Sequence, residues 1–319
     1  MQVNETILQQ GAALFGADGA ALHSLGGMDG AVYAYERDGK GYVLKFVPTS
    51  EEGLPVVAEK WDFVNYLAEN GVRVSRPVLS RDKRLVETLR DGDQVYAVFQ
   101  SEKAAGKHVD GRNPAEFNAD LFRIWGRTLG KMHALTRHYA GGEHFPDWRG
   151  EVKFMTGWCP DEAVREKWGP MTAYLNALPQ PPDAYGIIHN DLHPWNFLVD
   201  KGQITVIDFD VCNRNWFATD LGIALFHAAW MGVSGDQEPD AFLPGVYTAM
   251  MEGYNEENTL DKFWLQNLGR FLDYRRLLLF SVFANEWREP RQTWQQRTLD
   301  RWRSGILADE PVVKAAFAE

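Results

Sequence analysis

The sequence predicts an α+β protein of 319 residues with two lobes: a small β-rich lobe with one helix over residues 1–101, and a larger, mainly helical lobe over residues 102–319. Before residue 100, hydrophobic and polar residues alternate in several short runs, which is typical of half-buried strands. After the polar, glycine-containing stretch "SEKAAGKHVDGRNP", hydrophobic residues recur at helical spacing in long segments. This stretch is interpreted as a linker between lobes, where small-ligand sites commonly lie.

The first lobe contains clear local signals. "AVYAYERDGKGYVLKFV" predicts a β-hairpin with its turn at "RDGKG". Residues 54–71 predict one helix of about four turns, because Pro55 suits a first turn and the pair Asn70-Gly71 suits a left-handed stop. Two further strands are expected around "RLVETL" and "QVYAVFQ".

The second lobe is expected to consist of long helices that two short strands within residues 187–210 interrupt. The predicted helical segments are residues 116–139, 161–178, 216–232, 239–256 and 259–305.

Composition narrows the range of functions. Hydrophobic residues make up 45% of the chain and charged residues 24%, as in a globular protein, and the net charge of −11 disfavours nucleic acid or an anionic membrane as a partner. The two cysteines, Cys159 and Cys212, have no metal-ligand spacing, so a reducing compartment is expected. The first residues lack a signal-peptide pattern, and no apolar run approaches the roughly 18–20 residues of a membrane span. A cytoplasmic, soluble protein is therefore expected.

The most informative stretch is "IIHNDLHPWNFLVDKGQITVIDFD", residues 187–210. Asp191 is followed five residues later by Asn196, and Asp208 lies twelve residues further on, each beside short apolar strands. A lone Asp at such a position is usually a turn or cap residue. An amide and a carboxylate oxygen suit Mg²⁺, and the remaining carboxylate could accept the proton of an attacking hydroxyl, which is the division of roles in phosphoryl transfer.

The motif His-x-Asp-x-x-x-x-Asn followed by Asp-Phe-Asp resembles the aminoglycoside phosphotransferase and choline kinase-like family, small-molecule relatives of the protein kinases. The usual loop of this family is closer to HGDLHPGN, so Asn190 and Trp195 each replace a Gly here. The resemblance implies a protein-kinase-like fold, with ATP and Mg²⁺ as cofactors.

By the same resemblance, Asp191 is the catalytic base, and Asn196 and Asp208 are the Mg²⁺ ligands. Asp220 and His189 would support the loop structurally. His193 is expected to be a hydrogen-bonded scaffold residue, although a ligand contact remains open, and Cys212 a buried, inert thiol.

The first lobe offers the remaining parts of a nucleotide site. Lys45, in "YVLKF", resembles the strand lysine that contacts the α- and β-phosphates, although an outward-facing strand residue is the alternative. Glu59 is the candidate partner of Lys45, unless it is an ordinary solvated helix residue. A phosphate-covering turn is expected at Gly26, Gly27 and Gly30. Adenine is expected to meet backbone groups near Gln100 and Ser101 and apolar walls from Leu25, Val43, Leu198 and Ile207.

These features predict an ATP- and Mg²⁺-dependent phosphotransferase that acts on a hydroxyl of a small molecule, such as an aminoglycoside, an amino alcohol or homoserine. A bacterial stress-response protein kinase and a pseudokinase scaffold are the alternatives. The short distance from Asp208 to Asp220 leaves no room for a long activation loop, which favours a small molecule.

The carboxy-terminal helices could supply an amine-binding pocket through cation–π and ion-pair contacts, or their aromatic residues could simply be core. The candidate wall residues are Trp216, Phe217, Trp230, Tyr254, Trp264, Tyr274 and Trp287, with the acids Glu252, Asp261, Asp273 and Glu286.

Overall fold

Strands dominate the first part of the chain and helices the rest, as the sequence predicts. The computed structural model describes residues 3–26, 31–232, 239–314 and 317. The helices are α1 (Glu5–Leu14), α2 (Leu54–Glu69), α3 (Ala119–Thr136), α4 (Trp148–Trp158), α5 (Glu162–Glu166), α6 (Trp168–Ala177), α7 (Phe217–Gly232), α8 (Pro239–Tyr254), α9 (Lys262–Gln266), α10 (Leu268–Glu286) and α11 (Thr293–Leu307). The strands are β1 (His23–Gly26), β2 (Ala31–Arg37), β3 (Lys40–Thr49), β4 (Pro77–Val78), β5 (Val86–Asp91), β6 (Gln94–Glu102), β7 (Tyr185–Ile188), β8 (Phe197–Asp200), β9 (Gln203–Val206) and β10 (Asn213–Trp216). The expected α+β class is confirmed.

The chain divides into two compact units, and neither is a single continuous stretch. Unit 1 consists of Met1–Lys107, Tyr139–Phe145 and Phe197–Asp210, and unit 2 of His108–His138, Pro146–Asn196 and Val211–Glu319. This division differs from the expected boundary at residue 101, because two later segments join the amino-terminal one.

Backbone hydrogen bonds explain why the hairpin β8–β9 belongs to unit 1. The N–H of Val206 donates to the carbonyl of Arg73 at 2.8 Å, and its carbonyl accepts from the N–H of Ser75 at 2.9 Å. Val199 and Lys107 exchange hydrogen bonds of 2.9 and 3.2 Å. These partners lie far apart in the sequence, so hydrophobic periodicity does not reveal them.

The sheet of unit 1 is antiparallel, with the strand order β1-β2-β3-β6-β4 and with β5 also paired to β6. Along β3, Tyr42, Leu44 and Phe46 are buried in the core that the sheet shares with α1. Val43 and Lys45 alternate with them and are half-buried on the opposite face. The strand period thus places the candidate lysine away from the main core of unit 1.

Two local predictions in unit 1 are confirmed. Asp38 and Gly39 have φ values of 53° and 71°, as the two central residues of the hairpin turn between β2 and β3 require. Helix α2 has Pro55 in its first turn, and Gly71, with a φ of 80°, follows its end in the left-handed region.

In unit 2, helices α3 and α8 pack backbone against backbone. A Cβ atom on Gly126 would lie 1.8 Å from the carbonyl oxygen of Met250, and one on Gly253 would lie 1.8 Å from that of Arg123. Only glycine allows this approach, and it brings His133 of α3 within hydrogen-bonding distance of Tyr254 of α8.

Several predicted helices differ from the observed ones. Helix α3 begins at Ala119 because the Asn118 side chain caps it. The segment 161–178 divides into α5 and α6, and the segment 259–305 divides into α9, α10 and α11. The break after α10 precedes Pro290, which has no N–H to continue a helix. Helix α4 and strands β4 and β10 were not predicted, and residues 187–210 contain all or part of three strands, β7, β8 and β9, where two were expected. In the parts of the chain that the structure describes, no helix combines the length and apolar character needed to cross a bilayer.

Candidate active site

The loop that carries Asp191, residues 189–196 and here called the Asp191 loop, follows strand β7 in unit 2. Strand β7 pairs with β10, so the beginning of the loop is held at the edge of a small sheet. Asn190 has a φ of 66°, in the left-handed region that non-glycine residues rarely adopt. Such strain is maintained when surrounding contacts fix the backbone, and it is frequent at functional sites.

Asp220, in the first turn of α7, supplies such contacts to the Asp191 loop. Its carboxylate accepts hydrogen bonds from the N–H of His189 at 3.0 Å and of Asn190 at 2.8 Å. The same carboxylate lies 3.2 Å from the Nε2 atom of His133, and both side chains are fully buried. This is the arrangement expected of a residue that supports the loop. His189 is buried as well, and its ring accepts a hydrogen bond of 3.3 Å from the N–H of Asp191 within the loop.

The carboxylate of Asp191 accepts hydrogen bonds from three side chains. Arg275 of α10 donates to Oδ1, whereas Asn196 donates to Oδ2 at 2.8 Å and the Nε2 atom of His193 lies 3.3 Å from Oδ2. Burial alone would raise the pKa of Asp191, but the Arg275 guanidinium and His193 hold it well below the usual aspartate range. The side chain is therefore an oriented carboxylate.

His193 has a defined tautomer. Its Nδ1 atom accepts a hydrogen bond of 3.2 Å from the N–H of Trp195, so Nε2 carries a proton and points to Asp191. The structural role expected for His193 agrees with these contacts.

Asn196 is oriented by the same carboxylate. Its Nδ2 atom donates to the Asp191 carbonyl at 2.9 Å and to the Asp191 side chain at 2.8 Å. Since the amide nitrogen serves these bonds, the Oδ1 oxygen of Asn196 is the atom that a hard cation would bind.

Arg275 is fixed in turn by His227 of α7. The Nε and Nη2 atoms of Arg275 lie 3.2 and 2.9 Å from Nε2 of His227, and because arginine only donates, this ring nitrogen is the acceptor. Burial, His193 and Arg275 lower the pKa of His227 well below its ordinary value, so the ring is neutral. Ligand atoms of Asp191, His193 and His227 lie within 4.8 Å of one another, but the guanidinium already binds two of the three residues and disfavours a cation there.

Glu151 of α4 holds the Asp191 loop from another direction. Its carboxyl group accepts hydrogen bonds from Tyr274 and Asn190, and lies 3.5 Å from the Nδ2 atom of Asn213. Burial raises the pKa of Glu151. The strained residue Asn190 is therefore fixed both through its N–H and through its side chain.

Unit 1 brings the candidate lysine and two acids together. Asp208 follows β9 with a φ of 62°, and its carboxylate is exposed. Lys45 forms an ion pair with Asp210, and its Nζ atom lies 3.6 Å from Oδ1 of Asp208. Lys60 of α2 donates to the carbonyl of Asp210. Lys45 is thus directed toward the Asp-Phe-Asp segment.

Glu59 has other contacts than the expected ones. Its carboxylate accepts the N–H groups of Gly142, Glu143 and His144 at 2.6, 3.0 and 2.6 Å. These bonds account for the place of Tyr139–Phe145 in unit 1. The ion pair between Glu59 and Lys45 stays a prediction.

The expected nucleotide contacts in unit 1 fall into three groups. Gly26 has a φ of 88° and ample space around it, whereas Gly27 and Gly30 lie outside the described residues. Gln100 and Ser101 lie in β6 between β3 and β4, so strands flank their backbone on both sides. Of the four residues proposed to pack against adenine, Leu25 is exposed, whereas Val43, Leu198 and Ile207 are half-buried. A backbone contact between adenine and Gln100 or Ser101 stays a prediction.

Most carboxy-terminal aromatic residues considered as substrate walls belong to the core. The buried ones are Trp216, Phe217, Tyr254, Trp264 and Tyr274. Trp230 and Trp287 instead line a cavity within unit 2.

The sequence matches the model of the phosphotransferase enzyme family over residues 23–263. The chain belongs to this family. An amicoumacin kinase from Bacillus subtilis (strain 168) is 31% identical over 285 residues, which cover 87% of this chain and 84% of that protein.

Solved structures agree with membership in the phosphotransferase family. An amicoumacin kinase in complex with AMP-PNP, Ca²⁺ and Ami superimposes with a TM-score of 0.90 at 26% identity, covering 99% of this chain and 96% of that one. A microcompartment-associated aminopropanol kinase has a TM-score of 0.72 at 23% identity and 96% coverage of both chains, which shows the fold. The kinase-like fold and ATP-dependent phosphoryl transfer to a hydroxyl of a small molecule, both expected from the sequence, are confirmed for this family member.

The family motif does not reveal Arg275, His227 or Glu151. A weak signal exists for Arg275, because "DYRRLLLF" places two adjacent arginines before an apolar run, and a buried arginine needs an acceptor. No comparable signal marks His227 or Glu151, whose contacts join residues far apart in the sequence.

Proposed function

We propose that this phosphotransferase transfers the γ-phosphoryl group of ATP to a hydroxyl with Asp191 as the base that receives the hydroxyl proton. The observation that carries this assignment is the set of three donors that hold the Asp191 carboxylate charged and oriented on the family's loop. In phosphoryl transfer the protein acts mainly by positioning and electrostatics, so an oriented carboxylate suits the role.

The proposed ligands of Mg²⁺ are Asn196 and Asp208, each on the position that the family motif gives it. The donor set fits a hard divalent cation, because it offers an amide oxygen and an exposed carboxylate. Bound Mg²⁺ would neutralise charge on the β- and γ-phosphates. Lys45, directed toward Asp208 and Asp210, is proposed to bind the α- and β-phosphates, and adenine is proposed to rest on the half-buried apolar residues of unit 1.

The acceptor is proposed to be a small hydroxyl compound that also carries an amine. Relatives named as an amicoumacin kinase and as homoserine kinases support a small molecule over a protein. The favoured classes remain the aminoglycosides, the amino alcohols and homoserine.

Replacing Asp191 with Asn tests the assignment, because the amide keeps the shape and removes the proton acceptor. Transfer from labelled ATP to a panel of amino alcohols and aminoglycosides should fall by about 10²–10⁴-fold. ATP binding, measured by calorimetry with Mg²⁺, should remain close to that of the wild type. Asp183→Asn, at an exposed aspartate just before β7, is the matched control and should leave both values unchanged. Wild-type transfer by the Asp191→Asn protein would refute the role of Asp191.

A further inference from the structure

Unit 2 contains a cavity that is lined by nine residues, four of which are tryptophans. Its volume is about 570 Å³, within the range of roughly 300–1,000 Å³ that is usual for small-molecule sites. We call it the Trp cavity, and its principal lining residues are Trp195, Trp230, Trp287, Trp294, Asp110 and Arg112.

The rings of the Trp cavity present flat faces and edges at stacking distances. Trp195 and Trp230 meet at 5.9 Å with their planes at 82°. Trp287 stacks on Phe283 at 4.4 Å and meets Trp294 edge-on at 5.0 Å. Trp195 and Trp294 are 48% and 51% exposed, and exposed apolar rings that are grouped in one place are typical of a binding site.

A short series of contacts joins the Trp cavity to the proposed catalytic base. Trp195 belongs to the Asp191 loop, and its ring centre lies 5.4 Å from that of His193. The Nε2 atom of His193 lies 3.3 Å from the Asp191 carboxylate. An acceptor held against Trp195 would therefore lie beside the loop that carries Asp191.

Charge on the cavity lining discriminates between acceptor classes. Asp110 and Arg112 lie exposed at its rim and carry opposite charges. Among the described residues, the carboxy-terminal acids expected as pocket walls, Glu252, Asp261, Asp273 and Glu286, do not line it. Among the acceptor classes of the proposed function, apolar ring faces with a balanced rim favour an amino alcohol that carries a planar aromatic group over a polycationic aminoglycoside.

We propose that the Trp cavity binds the acceptor, and that the acceptor carries a planar aromatic ring close to the hydroxyl that receives the phosphoryl group. This inference rests on the proposed function and specifies the substrate class of the same site. The replacement of the family's Gly by Trp195 then has a purpose, since it adds a wall to the acceptor site on the loop that carries the base.

The test uses two amino alcohols that differ in one ring: 2-amino-1-phenylethanol and 2-amino-1-cyclohexylethanol. Ring stacking should make kcat/KM for the phenyl compound about three- to tenfold higher in the wild type. Trp294→Leu and Trp287→Leu should abolish this preference while leaving the KM for ATP unchanged. Trp158→Leu, at a half-exposed tryptophan outside the cavity, is the matched control and should keep the preference.

Binding is also measured without chemistry, by quenching of tryptophan fluorescence on titration with each amino alcohol. Ring-dependent quenching that Trp294→Leu removes would support the Trp cavity even if no compound were phosphorylated, in which case the proposed function would fail alone. Phosphorylation with equal kcat/KM for both compounds, unaffected in the cavity variants, would overturn the cavity and leave the function standing. Equal quenching by both compounds, or none by either, would also overturn it, as would a preference for kanamycin that the cavity variants retain.

Discussion

The carboxylate of Asp191 is bound by a full positive charge, which is unusual for a group proposed as a base. The guanidinium of Arg275 weakens its affinity for a proton and at the same time fixes its position. In a loose phosphoryl-transfer transition state the nucleophile does not need a strong base, whereas misplacement is costly. Arg275, which His227 holds in place, therefore acts by positioning the Asp191 carboxylate.

Replacing Arg275 with Met tests this positioning role. The apolar side chain keeps much of the volume but leaves Asp191 without one of its three donors and His227 without its guanidinium partner. We expect kcat to fall by about 10²-fold, with little change in the KM for ATP. Steady-state kinetics, with melting followed by circular dichroism, measure both quantities.

Arg276→Met is the matched control for this substitution. Arg276 is the next residue of α10 and also buried, but its guanidinium binds Asp273 at 3.3 Å and the carbonyl of Glu310. Arg276→Met should lower the melting temperature without the loss in kcat that is expected for Arg275→Met. Equal losses of kcat in the two variants would mean that Arg275 acts only through the stability of α10.

At the scale of helices, strands and loops, the sequence predicts what depends on neighbouring residues. The hairpin turn at Asp38-Gly39 and the end of α2 at Gly71 follow from backbone preferences, and both are observed. The Asp191 loop was found because its chemistry lies within a few residues. In contrast, Arg275 is separated from Asp191 by 84 residues, and Glu59 from Gly142 by 83, so only the fold brings them together. Helix α4 was missed, although it carries Glu151.

Asp220→Asn tests how the Asp191 loop is held. The carboxylate accepts two backbone N–H groups and contacts His133, whereas an amide offers one acceptor oxygen and turns an NH₂ group toward a donor. We expect the free energy of unfolding, measured in urea, to fall by about 1–3 kcal/mol, and kcat to fall as well. Asp261→Asn, at the exposed start of α9, should be nearly neutral because Asn caps a helix as well as Asp. An unchanged midpoint for Asp220→Asn would contradict this role.

Considering the whole molecule, the residues proposed for catalysis are divided between the two units. Lys45 and Asp208 belong to unit 1, whereas Asp191 and Asn196 belong to unit 2, and the chain passes from unit 2 to unit 1 directly after Asn196. Lys45 and Asp208, 163 residues apart, meet within unit 1 because the β8–β9 hairpin is hydrogen bonded to early residues. Sequence alone predicts the order of the lobes but not this return of the chain.

Within unit 2, Glu151 joins helix α4, the Asp191 loop, strand β10 and helix α10 through one buried carboxyl group. Burial raises the pKa of Glu151 in the folded protein above its value in the unfolded chain. The folded protein therefore holds this proton more tightly, so the contribution of Glu151 to stability is present at acidic pH and is lost as pH rises through the raised pKa.

Glu151→Gln removes this titration and keeps the shape, since the amide can accept from Asn190 and donate to the oxygen of Tyr274. We expect the melting temperature of the Gln variant, relative to the wild type, to increase as pH rises between about 4 and 8. Taking the difference removes the titration of the groups that the substitution leaves untouched, and Glu162→Gln, at an exposed position in α5, is the matched control and should give no comparable increase. A difference that stays level or decreases for Glu151→Gln would mean that the buried group is a fully compensated carboxylate, and that the three donors around it outweigh the cost of its burial.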